Sequence, residues 1–380
     1  MARSARGPAI RLLGLIAATA VLAAACSSSG VSERPARSGG RGSGRQSVPP
    51  PPTGSASYSL GTASPAGDAN PSLCLSGDTC KALTVDCPGT DQTAQAVLDI
   101  GDPVGTPRGV LVFLSGGGGG KLWSQEARSD VAFSGQSQSK STNEQAAKKA
   151  EDFLQGLRQQ GFMTVQVEWQ PPWLAAPKND PVGPARLACR SATAVKYVHD
   201  NYFERTGAHP APLACGFCIT GNSGGASQIA YMLGFYGLSG IIDGAVLTGG
   251  PPHAGLAKAC LNQPGYEYTP QLDQVLDASY GFFKPERGPC ELHTQSWADT
   301  WKRDGADTGG DDYDYPDTRV LLLLGALDDT AVGPHQMDYL HRLQAAGSPH
   351  VKQVTIPGMS HVITLSDAGL GQISDWFLHA

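Results

Sequence analysis

The stretch that decides the fold runs from Leu213 to Leu233 and reads LACGFCITGNSGGASQIAYML. A short apolar run comes first, apolar residues at helical spacing follow, and Ser223 lies between the two. This pattern predicts a buried strand, a sharp turn at Ser223 and a helix. In such a turn the backbone passes so close to its neighbours that the positions two before and two after must lack side chains, as Gly221 and Gly225 do. We therefore expect the Ser223 hydroxyl above a sheet, at a helix N-terminus.

The motif G-x-S-x-G is weak evidence by itself, because a chain with 48 glycines produces about 0.5 such matches by chance. The rest of the chain supplies the context. Strands are predicted at residues 93–100, 108–115, 162–169, 213–220, 241–248, 318–324 and 351–356, and helices at residues 143–160, 183–205, 223–236, 334–346 and 366–378. This alternation predicts an α/β fold, a mostly parallel sheet with helices on both faces.

Two of these strands end just before side chains that suit acid–base chemistry. Asp328 and Asp329 follow the strand at residues 318–324, and His361 follows the strand at residues 351–356. A serine hydroxyl is a poor nucleophile unless a base such as histidine takes its proton, and a carboxylate must orient the imidazole. Ligands of parallel sheets bind at the carboxyl ends of the strands, so these side chains are expected to lie together.

The motifs at residues 221–225, 325–328 and 358–361, in that chain order, resemble those of the α/β-hydrolase superfamily, and the resemblance covers about residues 90–380. It implies the α/β-hydrolase fold of serine esterases and lipases, with Ser223 as nucleophile and His361 as base. The family pattern of glycine, two residues and aspartate selects Asp328 as the acid, and Asp329 remains the alternative.

Five consecutive glycines occupy residues 116–120, directly after a predicted strand. A phosphate-binding loop is excluded because Ser115 stands where its first glycine is needed and Leu122 where it needs a hydroxyl. The run is similar to the His-Gly-Gly-Gly oxyanion loop of lipases and esterases, with Ser115 in the histidine position. That resemblance implies the backbone N–H groups of Gly117 and Gly224 as oxyanion donors. A plain flexible loop is the alternative.

These residues predict a serine hydrolase that cleaves carboxylic esters or similar acyl bonds through an acyl-enzyme, with no cofactor and no metal. An acyltransferase would use the same residues, and a non-catalytic cell-surface binding module is a further alternative. The expected partner is a small-molecule or lipid ester, and we expect a monomer. The chain has 34 acidic and 28 basic residues, for a net charge of −6, so no nucleic-acid partner is expected.

The segment between the predicted strands at residues 241–248 and 318–324 is long. The resemblance implies a lid-like insertion at residues 249–317. Its aromatic residues either line an acyl pocket or pack a small subdomain, and the sequence leaves both open: Tyr266, Tyr268, Tyr280, Phe282, Phe283, Trp297 and Trp301. We expect Cys260 and Cys290 to close a loop within the insertion.

The N-terminal residues predict export. Residues 1–25 combine three arginines with an apolar run at residues 12–25 that is too short to span a bilayer, and they resemble a lipoprotein signal peptide. The resemblance of the sequence ending at Cys26 to a bacterial lipobox implies cleavage before Cys26 and a lipid on it, although Ala23 replaces the usual leucine. An ordinary secretory signal is the alternative. Residues 26–70, rich in Ser, Gly and Pro, predict a disordered tether to a domain at residues 71–380.

Export has two consequences. The domain is expected at the outer face of the bacterial cell membrane, with the lipid on Cys26 as its only membrane attachment. Eight cysteines follow Cys26, and an even number in an exported chain suggests disulfides. Apart from Cys260 and Cys290, the sequence does not indicate which cysteines pair.

Overall fold

The computed structural model describes residues 48–52, 58–90, 92–128 and 140–379. The predicted signal peptide, Cys26 and the first part of the predicted tether lie outside the described residues. None of the helices in the described part of the chain is long and apolar enough to cross a bilayer.

One nine-stranded sheet runs through the described domain. Its strands are β1 (Thr62–Asp68), β2 (Thr79–Asp86), β3 (Ala94–Gly101), β4 (Gly109–Leu114), β5 (Phe162–Gln170), β6 (Phe217–Asn222), β7 (Gly244–Thr248), β8 (Arg319–Gly325) and β9 (Val351–Ile356). The spatial order is β1-β2-β3-β5-β4-β6-β7-β8-β9. Pairing is antiparallel from β1 to β5 and parallel from β5 through β4 to β9. This strand order and the helical crossovers define an α/β-hydrolase fold, and they confirm the predicted fold class.

Helices cover both faces of the sheet. They are α1 (Lys140–Gln159), α2 (Pro184–Leu187), α3 (Cys189–Val198), α4 (Glu204–Thr206), α5 (Gly224–Tyr236), α6 (Leu256–Cys260), α7 (Pro270–Ser279), α8 (Ala298–Asp304), α9 (Val332–Ala346) and α10 (Asp367–Leu378). Buried side chains of α1 and α10 pack with Phe113 of β4, and those of α3, α5 and α9 pack with Val112 on the opposite face. A central strand of this kind is apolar on both sides, which explains its continuous apolar sequence.

The predicted tether ends earlier than expected, and the boundary at residue 70 is wrong. Thr62–Asp68 form β1, an edge strand that pairs with β2. Most of β1 is exposed, so its sequence does not need to alternate apolar and polar residues. With Ser, Gly and Pro in it, the segment resembles a linker. Before it, the backbone N–H of Gly61 donates to Oγ1 of Thr193 (2.8 Å), which fastens the chain to α3.

Two other elements differ from their predicted bounds. The helix predicted at residues 183–205 is divided into α2, α3, a π-helical turn at His199–Phe203 and α4. Strand β6 begins at Phe217 and not at Leu213, whose backbone has a positive φ of 66° that no strand allows.

Residues 249–317 lie between β7 and β8 and contain α6, α7 and α8. Tyr268, Tyr280, Trp297 and Trp301 form a buried cluster there with the disulfide of Cys260 and Cys290. The predicted Cys260–Cys290 pair is therefore confirmed, and for these four aromatic residues the structure favours packing over a pocket. A lid role for the insertion stays a prediction. The other cysteines pair as Cys74–Cys80, Cys87–Cys189 and Cys215–Cys218.

Candidate active site

Four loops meet at one edge of the sheet, each directly after a parallel strand. The glycine loop follows β4, Ser223 follows β6, Asp328 follows β8 and His361 follows β9. Because β4, β6, β7, β8 and β9 are parallel and adjacent, these loops lie along the same edge. The residues that the sequence singled out are thus brought to one place.

Ser223 forms the turn between β6 and α5 with φ 52° and ψ −116°, a conformation that side-chain-bearing residues rarely adopt. Its backbone N–H donates to the carbonyl oxygen of Thr248 (2.8 Å). A methyl group on Gly221 would lie 2.6 Å from the carbonyl carbon of Gly225, and one on Gly225 would lie 2.3 Å from the carbonyl oxygen of Leu114. Both glycines are therefore required by close backbone contacts, as the sequence pattern predicted.

A buried hydrogen-bonded pair joins the loops after β8 and β9. Nδ1 of His361 lies 2.9 Å from Oδ2 of Asp328, and the Asp328 side chain has no solvent exposure. Thr330 donates to Oδ1 of Asp328 through both its hydroxyl (2.6 Å) and its backbone N–H (3.1 Å), and its hydroxyl is also 3.1 Å from Nδ1 of His361. Asp329 is exposed to solvent. Of the two adjacent aspartates, it is Asp328 that contacts the histidine.

The surroundings of Asp328 favour its ionised form. Burial alone would raise the pKa of this carboxyl, but the hydrogen bond and charge of His361, together with the two donors of Thr330, outweigh burial and lower the pKa. The carboxylate is therefore negatively charged at neutral pH and stabilises a proton on the imidazole.

The turn after β7 lies between His361 and Ser223. A methyl group on Gly249, which has φ 53°, would lie 3.1 Å from Cε1 and Nδ1 of the His361 ring. One on Gly250 would lie 3.3 Å from the carbonyl oxygen of Ser223. The absence of side chains at both positions lets the imidazole and the serine approach the turn from two sides. His361 and Ser223 are both buried.

The glycine loop is held against β5 and the segment that follows it. The backbone N–H of Trp169 donates to the carbonyl oxygen of Gly119 (2.8 Å), and that of Trp173 donates to Gly118 (2.9 Å). Both indole rings are buried, and a methyl on Gly119 would lie 2.7 Å from Cδ1 of Trp169. These contacts favour a fixed loop over a freely flexible one.

Gly117 and Gly224 lie next to each other. A methyl on Gly224 would lie 2.9 Å from the backbone nitrogen and 2.1 Å from the carbonyl oxygen of Gly117, and Gly117 has a positive φ of 55°. Ser115 closes the loop by donating from Oγ to the carbonyl oxygen of Lys121 (2.6 Å).

Two residues of this site were missed from the sequence. Thr330 could have been recognised, because a threonine two residues after an aspartate commonly caps its carboxylate in a turn. Glu126, in a 3₁₀ helix at Trp123–Arg128, accepts hydrogen bonds from the backbone N–H of Gly116 (3.1 Å) and Nδ2 of Asn222 (2.8 Å). No motif or spacing in the sequence indicated that Glu126 belongs to this site.

Among the described residues, one group of potential metal ligands lies within 4.8 Å of one another, consisting of His199, Asp200 and Glu204. Nζ of Lys196 lies 2.6 Å from both oxygens of Asp200, so a cation already pairs with this carboxylate. The His199 ring packs on Phe217 at the start of β6, at the opposite end of that strand from Ser223. This group is separate from the candidate site.

No protein-family model matches the chain, and no curated protein matches its sequence. Solved structures of similar fold include a bacterial heroin esterase, with 18% identity over 79% of this chain and 81% of its own, and a TM-score of 0.45. An esterase from Pyrobaculum calidifontis shares 16% identity over 78% and 84% of the two chains (TM-score 0.45). Carboxyl esterase 2 from Tuber melanosporum shares 13% over 84% and 88% (TM-score 0.45).

The strained turn makes a prediction about stability. Replacing Ser223 with glycine relieves the positive-φ strain, whereas replacing it with alanine keeps it. After allowing for the greater chain entropy of unfolded glycine, Ser223→Gly is expected to exceed Ser223→Ala by about 1 kcal/mol in free energy of unfolding. Urea denaturation of the two variants measures this difference. A glycine variant no more stable than the alanine variant would show that the turn is not strained.

Proposed function

We propose that this chain is a serine hydrolase that cleaves carboxylic esters or similar acyl bonds. The observation that carries the proposal is the buried hydrogen bond between His361 and Asp328, at the sheet edge where Ser223 is held in a strained strand-to-helix turn. Nucleophile, base and orienting carboxylate on three neighbouring loops form the arrangement that acyl transfer to serine requires. The neighbouring N–H groups of Gly117 and Gly224 give it oxyanion donors.

In the first step, Oγ of Ser223 attacks the acyl carbon while Nε2 of His361 takes the hydroxyl proton. The electron pair of the carbonyl bond moves onto its oxygen, which the N–H groups of Gly117 and Gly224 stabilise. Collapse of this intermediate breaks the bond to the leaving group, which departs with the proton from His361. An acyl-enzyme on Ser223 remains.

In the second step, water takes the place of the leaving group. His361 removes a proton from the water as the water oxygen attacks the acyl carbon and the electron pair of the carbonyl bond moves onto the carbonyl oxygen. Collapse of this second intermediate breaks the bond between the acyl carbon and Oγ of Ser223, which takes the proton from His361, and the carboxylic acid is released. Throughout, ionised Asp328 keeps the Nδ1 proton of His361 directed away from the serine and stabilises the imidazolium. Thr330 supports this role because its two donors fix the other carboxylate oxygen. The chain's own residues supply every group in this scheme.

We also propose, from residues 1–26 alone, that the mature protein is exported and anchored through a lipid on Cys26. The hydrolase domain then acts on small-molecule or lipid esters at the outer side of the cell membrane. The tether before β1 gives the domain reach from the membrane surface.

A fluorophosphonate probe tests the nucleophile. The wild-type protein is expected to react covalently, with the adduct on Ser223 by peptide mass spectrometry. Ser223→Ala is expected to lose all labelling, while a control, Ser239→Ala, labels like wild type. An unlabelled wild type, or undiminished labelling of Ser223→Ala, would contradict the proposal.

With p-nitrophenyl acetate, free acetate as the product indicates hydrolysis, and acetyl esters of an added alcohol would indicate an acyltransferase.

Adjacent aspartates provide a matched pair of variants for the acid. Asp328→Asn removes the carboxylate that orients His361, so kcat for p-nitrophenyl acetate is expected to fall by about 10³–10⁴. Asp329→Asn changes an exposed side chain, and its kcat is expected to stay within about threefold of wild type. Thermal unfolding of both variants checks that they are folded. If kcat fell equally in both variants, or fell more in Asp329→Asn, the assignment of Asp328 as the acid would be wrong.

A further inference from the structure

We propose that Glu126 is a positioning residue. Through a single carboxylate oxygen it fixes the turn at Ser223 and the glycine loop at residues 116–120 relative to each other. The inference rests on the proposed function, since it assigns Glu126 a part in oxyanion stabilisation. Glu126 does not itself contact the reacting atoms. It acts through Gly116, the residue before Gly117, and through Asn222, the residue before Ser223.

The position of Oε1 of Glu126 is the first support. This oxygen accepts from the backbone N–H of Gly116 (3.1 Å) and from Nδ2 of Asn222 (2.8 Å). A methyl group on Gly116 would lie 2.5 Å from this oxygen and 3.2 Å from Cβ of Ser223. The carboxylate and the side chain of Ser223 therefore both border Gly116, and Glu126 is 2% exposed.

Asn222 links Glu126 to the turn at Ser223 through Thr248. Its Oδ1 accepts from the hydroxyl of Thr248 (2.8 Å), and the carbonyl oxygen of Thr248 accepts the N–H of Ser223 (2.8 Å). The amide of Asn222 is thus held at both ends, by Glu126 on one side and by β7 on the other. A side chain held at both ends restricts the backbone at Asn222 and, with it, the entry into the turn.

On the other side, Glu126 fixes the start of the glycine loop. The N–H of Gly116 is bound by Glu126, and the carbonyl oxygen of Gly116 accepts the N–H of Gly119 (3.0 Å). That carbonyl belongs to the same peptide unit as the N–H of Gly117. Because glycine has no side chain to restrict its backbone, these two hydrogen bonds set the direction of the Gly117 N–H.

Glu126 is itself supported by a rigid segment. Two residues earlier, the backbone N–H of Ser124 donates to Oε1 of Gln166 on β5 (2.8 Å), whose Nε2 donates to Asp99 on β3 (2.6 Å). The ring of Trp123 packs on Phe113 of β4. The 3₁₀ helix that carries Glu126 is therefore tied to three strands of the sheet, as a positioning group requires.

In its contacts with Gly116 and Asn222, Glu126 is a hydrogen-bond acceptor through Oε1. A glutamine has an amide oxygen in the same place and can accept both hydrogen bonds, whereas alanine can accept neither. Loss of the acceptor frees Gly116 and Asn222 together. Displacement of an oxyanion donor lowers the rate of the chemical step more than it affects binding of the substrate.

The test compares Glu126→Gln and Glu126→Ala with wild type and with a control at an exposed glutamate, Glu204→Ala. With p-nitrophenyl acetate, Glu126→Ala is expected to lose about 100-fold in kcat with KM within about threefold. Glu126→Gln and the control are expected to keep kcat within about threefold. The double variant Asn222→Ala/Glu126→Ala is expected to lose much less kcat than the product of the two single-variant fold losses. Both substitutions remove the same hydrogen bond between Glu126 and Asn222.

Hydrogen exchange separates this proposal from the proposed function, because it needs no turnover. Deuterium uptake in the peptide that covers residues 115–122 is expected to rise in Glu126→Ala and to match wild type in Glu126→Gln. Unchanged uptake in Glu126→Ala overturns the proposal whatever the activity, as does a Glu126→Gln variant that loses as much kcat as Glu126→Ala. If no variant, wild type included, turns over any ester or reacts with fluorophosphonate, the proposed function fails, and the exchange result alone decides the positioning role.

Discussion

The candidate site depends on the close approach of the N-terminus of α5 to the end of β4. A methyl group on Gly225 would lie 2.3 Å from the carbonyl oxygen of Leu114, and one on Gly224 would lie 2.1 Å from that of Gly117. These contacts leave no room for a side chain, so Ser223 is brought against the glycine loop by the backbone itself. A side chain at either glycine would move Ser223 away from the glycine loop.

Two buried carboxylates lie on different sides of the serine and act through intermediaries. Asp328 holds His361, and Glu126 holds Asn222 and the glycine loop. A buried carboxylate is costly unless its oxygens are hydrogen-bonded, and Asp328 and Glu126 each accept more than one hydrogen bond. The same hydrogen bonds that offset the cost of burial also fix the groups around Ser223. Stability and geometry are therefore linked at this site.

Much of the fold and of the candidate site could be predicted because the signals are local. A strand, a glycine-flanked serine and a helix are adjacent in sequence, and Asp328 and His361 each follow an apolar strand. The edge strand β1 was missed because an exposed edge needs no apolar alternation. Glu126 was missed because its partners lie 10 and 96 residues away, and only the folded sheet brings them together. Contacts of this kind leave no periodic pattern in the sequence.

The proposed roles of Ser223, Gly117 and Gly224 can be tested by a crystal structure of the protein after reaction with a p-nitrophenyl phosphonate ester, whose adduct mimics the tetrahedral intermediate. We expect phosphorus bonded to Oγ of Ser223, with a phosphoryl oxygen about 3 Å from the backbone nitrogens of both Gly117 and Gly224. An adduct on another residue, or one on Ser223 whose oxygen points away from these two glycines, would contradict it.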